Sequence, residues 1–393
     1  MKDFTRLDNL IRNFVETGSI PGCAIAIMQN DEVIYHGEAG FANLESKKPV
    51  TTQSMFSQAS TTKLFAYAIM GMLYEEGKFL FSDPLYEYLP EWKDSKKYVT
   101  LPNGQVVAQP LDKPITVRDA VAMMCGLPYC MVPAVDPVTP TLAAMSKEIA
   151  RIQEGGIHTA LRDEVRVIAN APVLFEPGSH WQYGFGSEIT GALIEVMTGK
   201  PLKHVFRDRI IEPLGLKHTD TYITDANREF AVTTYSKKGN GDFTPVPGYL
   251  WSDPDEYPLS YRPSLFCSAE DFAVFMQMLA NGGTYKGEKF LGEGTVAMLH
   301  AEQTDDVSRI DFETDAYPYN LGYGYGLGFR TLRTQKYGHN GHLGSFGWTG
   351  GFGTWVEADP VAKCSIAYMH NMIPNEEVKH HHRVRAVAYG CLF

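Results

Sequence analysis

One stretch limits the folds open to this 393-residue chain more than any other. Ser60 to Glu76, STTKLFAYAIMGMLYEE, reads as a long helix that is apolar on nearly every face. Such a helix has no side to give to water, so other elements must enclose it. It stops at Gly77, followed by the turn residues Ser82-Asp83-Pro84. At its head stands the only S-x-x-K of the chain, Ser60-Thr61-Thr62-Lys63. That spacing sets the amine one turn beyond the hydroxyl on the same face, and a lysine heading an apolar helix is costly without a function. A desolvated amine there can take the hydroxyl proton, and the helix N-terminus favours developing negative charge.

The flanking sequence supplies the enclosure. Phe4, Leu7, Leu10, Ile11, Phe14 and Val15 recur at helical spacing before the breakers Gly18 and Pro21-Gly22, predicting an amphipathic first helix. CAIAIM (Cys23 to Met28) and EVIYHG (Glu32 to Gly37), joined through Gln29-Asn30-Asp31, read as a hairpin. The middle, from about Pro90 to Glu313, alternates helical stretches (TVRDAVAMM, TLAAMSKEIARIQ, SEITGALIEVMTG, AEDFAVFMQMLANGG) with proline- and aromatic-rich loops, the pattern of a helical insertion. After Tyr317 come glycine-rich alternation, the strand-like WVEADP and KCSIAYMHN, and a terminal helix carrying Val378 to Ala388. The expected architecture is therefore α/β (α+β). Residues 1–85 and 320–393 form an antiparallel sheet domain flanked by helices, and 86–319 a mostly helical inserted domain with substrate-site loops.

Composition removes several classes of function. A net charge of −11 argues against a nucleic-acid partner that works by phosphate neutralisation. No apolar run is long enough to span a membrane, and the amino-terminal residues MKDFTRLDNLIRNF lack the apolar core of an export signal, so a cytoplasmic location is expected. Six scattered cysteines without a C-x-x-C pair read as reduced, mostly buried thiols. G-x-S-x-G, H-E-x-x-H and the P-loop pattern are absent.

Four segments in order, Phe56 to Pro90, Ile115 to Pro128, FEPGSHWQYGFGSEITGALIEVMTGKPL (Phe175 to Leu202) and WTGGFGTWVEADP (Trp348 to Pro360), resemble the serine β-lactamase superfamily. The resemblance is to the branch holding class C β-lactamases, D,D-peptidases and family VIII carboxylesterases. It implies Ser60 as nucleophile, Lys63 as its base, and Tyr183, at the Y-x-N position, as a second proton carrier. It also implies an oxyanion hole from the backbone N–H groups of Ser60 and Gly351. Two departures bear on substrate. Phe185 replaces the asparagine of Y-x-N, and Trp348-Thr349-Gly350 stands where relatives carry K-T-G, similar to the W-x-G of family VIII esterases. Neither residue supplies the amide or the cation that holds a β-lactam. A second register for the third motif, His339-Asn340-Gly341, stays open.

The resulting expectation is a hydrolase that needs no cofactor or metal and cleaves a small-molecule ester through an acyl-serine intermediate. The alternatives are a β-lactamase or D-amino-acid amidase, and a non-catalytic binding relative. His339, His342 and the triple His380-His381-His382 read as solvated surface rather than a metal site. The loop from Gly248 to Tyr261 is open between lining an acyl pocket and packing the insertion, and Cys125 reads as a small packed thiol.

Overall fold

The computed structural model describes residues 2–129, 139–154, 161–246, 265–316 and 318–393. Helix α1 (Thr5–Glu16) buries Leu7, Ile11 and Phe14, the stripe that its spacing predicted. The hairpin follows as β1 (Gly22–Gln29) and β2 (Glu32–Asn43). Asn30 and Asp31 between them both take positive φ, at 53° and 66°, the conformation that matches a two-residue turn to the twist of its strands. The sheet adds β3 (Lys48–Pro49), β4 (Tyr323–Tyr325), β5 (Arg330–Leu332), β6 (Phe346–Thr349), β7 (Trp355–Asp359) and β8 (Cys364–Met369). Its order is β4-β5-β6-β7-β8-β1-β2-β3, antiparallel throughout. The strands at the end of the chain thus complete the sheet begun at its start, with Ala26 opposite Ala367.

The principal helices between β3 and β4 are α2 (Lys63–Glu75), α3 (Val117–Val121), α4 (Pro140–Glu154), α5 (Leu161–Ile168), α6 (Gly186–Thr198) and α7 (Ala269–Ala280); α8 (Glu377–Leu392) follows the sheet. Alternation along β1 sorts the two faces. Cys23, Ile25 and Ile27 join the core under α1 and α8, whereas Ala24, Ala26 and Met28 join the larger core containing α2 and α7. Small residues on that second face let α7 lie close against β1, β7 and β8. Helix α7 falls inside the span expected for the insertion, yet it packs on the sheet. Helix α2 buries every residue from Leu64 to Leu73, as its all-round apolarity required.

Five cysteines, Cys23, Cys125, Cys267, Cys364 and Cys391, are buried and unbridged. Cys130, Tyr317 and the Gly248–Tyr261 loop lie outside the described residues. Three of these histidines, His339, His380 and His381, correct the expectation of solvated surface, whereas His342 and His382 stay partly exposed. His380 and His381 are each 1% exposed because α8 lies along the sheet with those two rings inward, leaving Lys379 and Arg383 outside, and His339, in the loop before β6, is 9% exposed. His381 Nε2–H donates to the Gly353 carbonyl (3.0 Å), so its Nδ1 must accept, and it does so from the Tyr319 hydroxyl (2.9 Å). His370 is held likewise, by the Asn375 carbonyl (2.9 Å) and the Tyr368 hydroxyl (3.1 Å). Among the described residues no group of three or more His, Cys, Asp or Glu has metal-ligating geometry, and no helix is long and apolar enough to cross a membrane.

These rings are built to stay neutral. Burial pulls His370 down to about 3 and His380 to about 4, from an ordinary 6.5. As pH falls from 6.5 toward 4 the unfolded chain binds protons that the folded chain refuses, so stability is full above 6.5 and is lost on acidification. His370 alone contributes a slope approaching about 1.4 kcal/mol per pH unit in that window. Urea midpoints measured at pH 7.5 and 5.0 should drop markedly at the lower value; equal midpoints would show that these imidazoles are not held neutral.

Candidate active site

The residues around Ser60 adopt a tighter form than the continuous helix expected from sequence. Ala59–Thr62 is a 3-10 turn that runs directly into α2. In a 3-10 turn side chains three apart eclipse one another, so Lys63 stands over Ser60, and its Nζ lies 2.9 Å from Ser60 Oγ. Ala59, just before the serine, holds φ at +48°, a strained value for a residue with a side chain. The strain is held in place by Gln58. Its fully buried side chain donates to the carbonyls of Phe56 (2.9 Å) and Cys267 (3.0 Å), while its own carbonyl accepts from Thr61 Oγ1 (2.8 Å) and Thr354 Oγ1 (3.0 Å).

Tyr183 reaches the pair from a second segment. Residues 182–185 run beside 123–128, with Gln182 N–H on the Met123 carbonyl and Phe185 N–H on the Leu127 carbonyl, both 2.9 Å. Gly184 permits this approach, since a Cβ there would sit 2.0 Å from the Leu127 oxygen. The pairing also sets Tyr129 against Tyr183, ring centroids 5.3 Å apart, and each ring lies 5.4 Å from Lys63 Nζ. Two aromatic faces on an ammonium stabilise it without neutralising it. Phe185 differs from its expected place: it is completely buried, 5.9 Å from Tyr129, and backs that ring.

The third segment is the end of β6. Trp348 Nε1–H points to the Tyr183 hydroxyl at 3.3 Å, the rings 5.4 Å apart. Trp181 and Tyr325 extend the aromatic wall, with Trp181–Tyr325 at 5.2 Å and Tyr325–Trp348 at 5.3 Å. Gly350 closes on the serine turn so tightly that a Cβ would meet the Gln58 carbonyl at 2.3 Å. Gly351 next to it is exposed, with open space where a side chain would be. Thr349, on the opposite face of β6, donates to the half-buried Glu377 of α8 (2.7 Å). His339 is not part of this group. Its Nε2–H donates to the Leu321 carbonyl (2.8 Å) and its Nδ1 accepts from Arg385 (2.9 Å), committing both nitrogens elsewhere.

Sequence reading missed three neighbours of this site. Tyr129 directly follows the last residue of the matched segment ending at Pro128. Ser187 and Glu188 lie in the first turn of α6, where Ser187 Oγ–H donates to Glu188 Oε2 at 2.7 Å. A glutamate five residues beyond Tyr183, at the start of an apolar helix, was the available signal. Chemically, the assembly offers a hydroxyl touching an amine, a phenol ring 5.4 Å from that amine, and an apolar wall.

The β-lactamase family model matches residues 7–389. Protein Rv1367c of Mycobacterium tuberculosis (strain ATCC 25618 / H37Rv) is 24% identical over 382 residues, covering 94% of this chain and 90% of its own length. A protein of Salmonella agona (strain SL483), provisionally named a D-alanyl-D-alanine carboxypeptidase, is 24% identical over 390 residues, covering 93% and 82%. Among solved structures, EstCE1, described as a hydrolase with promiscuous acyltransferase activity, superposes with a TM-score of 0.79 at 24% identity over 98% of each chain. Simvastatin synthase LovD from Aspergillus terreus superposes with a TM-score of 0.80 at 18% identity over 99% of each. The folds agree across their whole length, and with the family match extending over nearly all of its residues, this chain belongs to the β-lactamase family.

Proposed function

We propose that the protein is a serine hydrolase that cleaves carboxylic esters of small, uncharged acyl groups. The observation that carries this reading is the Trp348 indole seated on the Tyr183 hydroxyl beside Ser60 and Lys63, an apolar ring at the position from which relatives present a cation. In the cycle, Lys63 takes the Ser60 proton as Oγ attacks the acyl carbon. Tyr183, steadied by the Trp348 N–H, passes a proton to the departing alcohol oxygen. The Ser60 and Gly351 N–H groups hold the oxyanion, and water then resolves the acyl-serine. The name of the Salmonella relative favours a second reading, peptidase action on a D-alanyl substrate; Trp348 counts against it, because a terminal carboxylate would lack a partner cation there.

A fluorophosphonate should label Ser60 and no other serine, as peptide mass analysis would show, because labelling requires an activated and accessible hydroxyl. Lys63→Ala should remain folded and lose about a hundredfold or more in ester turnover. Label on a different serine, or a fully active Lys63→Ala enzyme, overturns the assignment of the pair.

Substrate preference is tested by charge. Wild-type enzyme should hydrolyse p-nitrophenyl butyrate far faster than a carboxylate-bearing cephalosporin. Trp348→Lys should lower ester turnover and raise β-lactam acylation, since one charge-assisted hydrogen bond in a closed site is worth roughly 1.5 to 3 kcal/mol, or about ten- to a hundredfold. Equal rates on both substrates in the wild type would remove the esterase reading.

A further inference from the structure

The helix Asp306–Asp315 supplies nothing to the Ser60–Lys63–Tyr183 cycle, yet it holds the segment that carries Tyr183. Asp305 caps it, accepting from the N–H groups of Val307 (3.1 Å) and Ser308 (2.9 Å), which fixes its first turn. Ser308 and Phe312, four residues apart on one face, are fully buried, and Ile310 faces outward. Asp311 stands beside the buried face. Its Oδ2 accepts two hydrogen bonds, from His180 Nδ1–H (2.9 Å) and from the Trp181 backbone N–H (3.1 Å). A carboxylate only accepts, so the imidazole is the donor. The next residue, Phe312, meets the Trp181 indole edge-on, with ring centroids 4.9 Å apart. Adjacent residues of one helix thus grip the backbone and the side chain of Trp181.

Trp181 passes that grip to Tyr183. The two rings lie nearly parallel, at 16°, with centroids 6.1 Å apart. Gln182 between them gives its N–H to the Met123 carbonyl, so consecutive residues are tied to two separate elements just before the phenol. The same helix also reaches the other flank of the aromatic wall. The Phe312 carbonyl accepts from Asn320 Nδ2 (3.0 Å), Asn320 Oδ1 accepts from Arg330 (3.2 Å), and the Arg330 guanidinium lies 5.8 Å from the centre of the Trp348 ring. Both indoles in contact with Tyr183 therefore share one support. The His180–Asp311 pair is itself half exposed and adds little to stability, so what Asp311 contributes is aim.

We infer that Asp311, through its hold on Trp181, is a positioning residue that aims the Tyr183 hydroxyl at the leaving group. The inference rests on the proposed role of Tyr183 as proton donor to the departing alcohol. As the acyl C–O bond breaks, the Tyr183 O–H proton moves to the alcohol oxygen, and the Lys63 ammonium returns one to the phenolate. Asp311 exchanges no proton and acts only through Trp181.

The leaving group supplies the readout. An alkoxide needs a proton as it departs, whereas p-nitrophenolate is stable without one. Asp311→Ala should lower kcat/KM for ethyl butyrate about tenfold or more while p-nitrophenyl butyrate changes by less than about threefold, a split that a general loss of structure would not produce. Asp311→Asn keeps an oxygen for the Trp181 N–H and should return most of the ethyl butyrate rate. Equal loss on both esters, or no loss on either, in a folded Asp311→Ala enzyme overturns the inference, as does an Asp311→Asn enzyme as impaired as Asp311→Ala. Should Asp311→Ala not fold, Phe312→Leu, which loosens the same indole, must show the split, and its absence overturns the inference equally. Failure of Tyr183 as proton donor is separate: it would appear as a Tyr183→Phe enzyme that keeps the wild-type ratio of the two esters, whatever Asp311 does.

Discussion

The contact between Lys63 Nζ and Ser60 Oγ is the interaction that the rest of the molecule is arranged to keep. An amine at the head of an apolar helix would otherwise swing toward water. Here it is confined by the rings of Tyr129 and Tyr183 and by the eclipsed geometry of a 3-10 turn. That turn is not a comfortable shape for the backbone, as the left-handed Ala59 shows, and Gln58 binds it to two strands and a loop. The local cost is carried by the surrounding hydrogen bonds, which over-determine the strained conformation.

The end of β6 shows how one strand serves both faces of a sheet. Trp348 turns toward Tyr183 and Thr349 away from it, toward Glu377 and His381 of α8. The glycines that follow bring the backbone against the serine turn, and His381 holds the Gly353 carbonyl from behind. The edge bearing Trp348 is therefore anchored from the opposite face by α8, through polar contacts that require neutral imidazole. The contact with Tyr183 and the anchor to α8 sit on adjacent residues, and period-two alternation sends them to opposite faces.

What was legible in the sequence was local. Ser60 and Lys63 are three residues apart, α1 and the first hairpin announce themselves by periodicity, and Tyr183 sits in a recognisable run. The unread parts depend on pairing between distant segments. Tyr129 becomes a neighbour of Lys63 only because 123–128 lies beside 182–185, and no spacing within either segment reports that. Phe185 was expected to face substrate because of the motif position it fills, but the same pairing turns its ring into the core. The triple histidine misled for a different reason. Flanking Lys379 and Arg383 give the helix a charged appearance, and the buried stripe was drawn with imidazoles rather than aliphatic side chains. Helix α7 reads as one more helix of the middle region, and only the small residues on one face of β1 show, in retrospect, where it docks.

The sheet order has a consequence for how the chain comes to exist. Strand β1 is flanked by β2, its immediate successor, and by β8, near the opposite end of the sequence. During synthesis one hydrogen-bonding edge of a strand rich in alanine and isoleucine stays unpaired until Cys364–Met369 leave the ribosome. At 5–20 residues per second that wait lasts roughly 20 to 70 s. An open apolar edge of that lifetime can pair with other nascent chains. The same topology withholds the β6 edge from the Ser60 turn until Phe346–Thr349 have been made, so these two parts of the site meet late in synthesis.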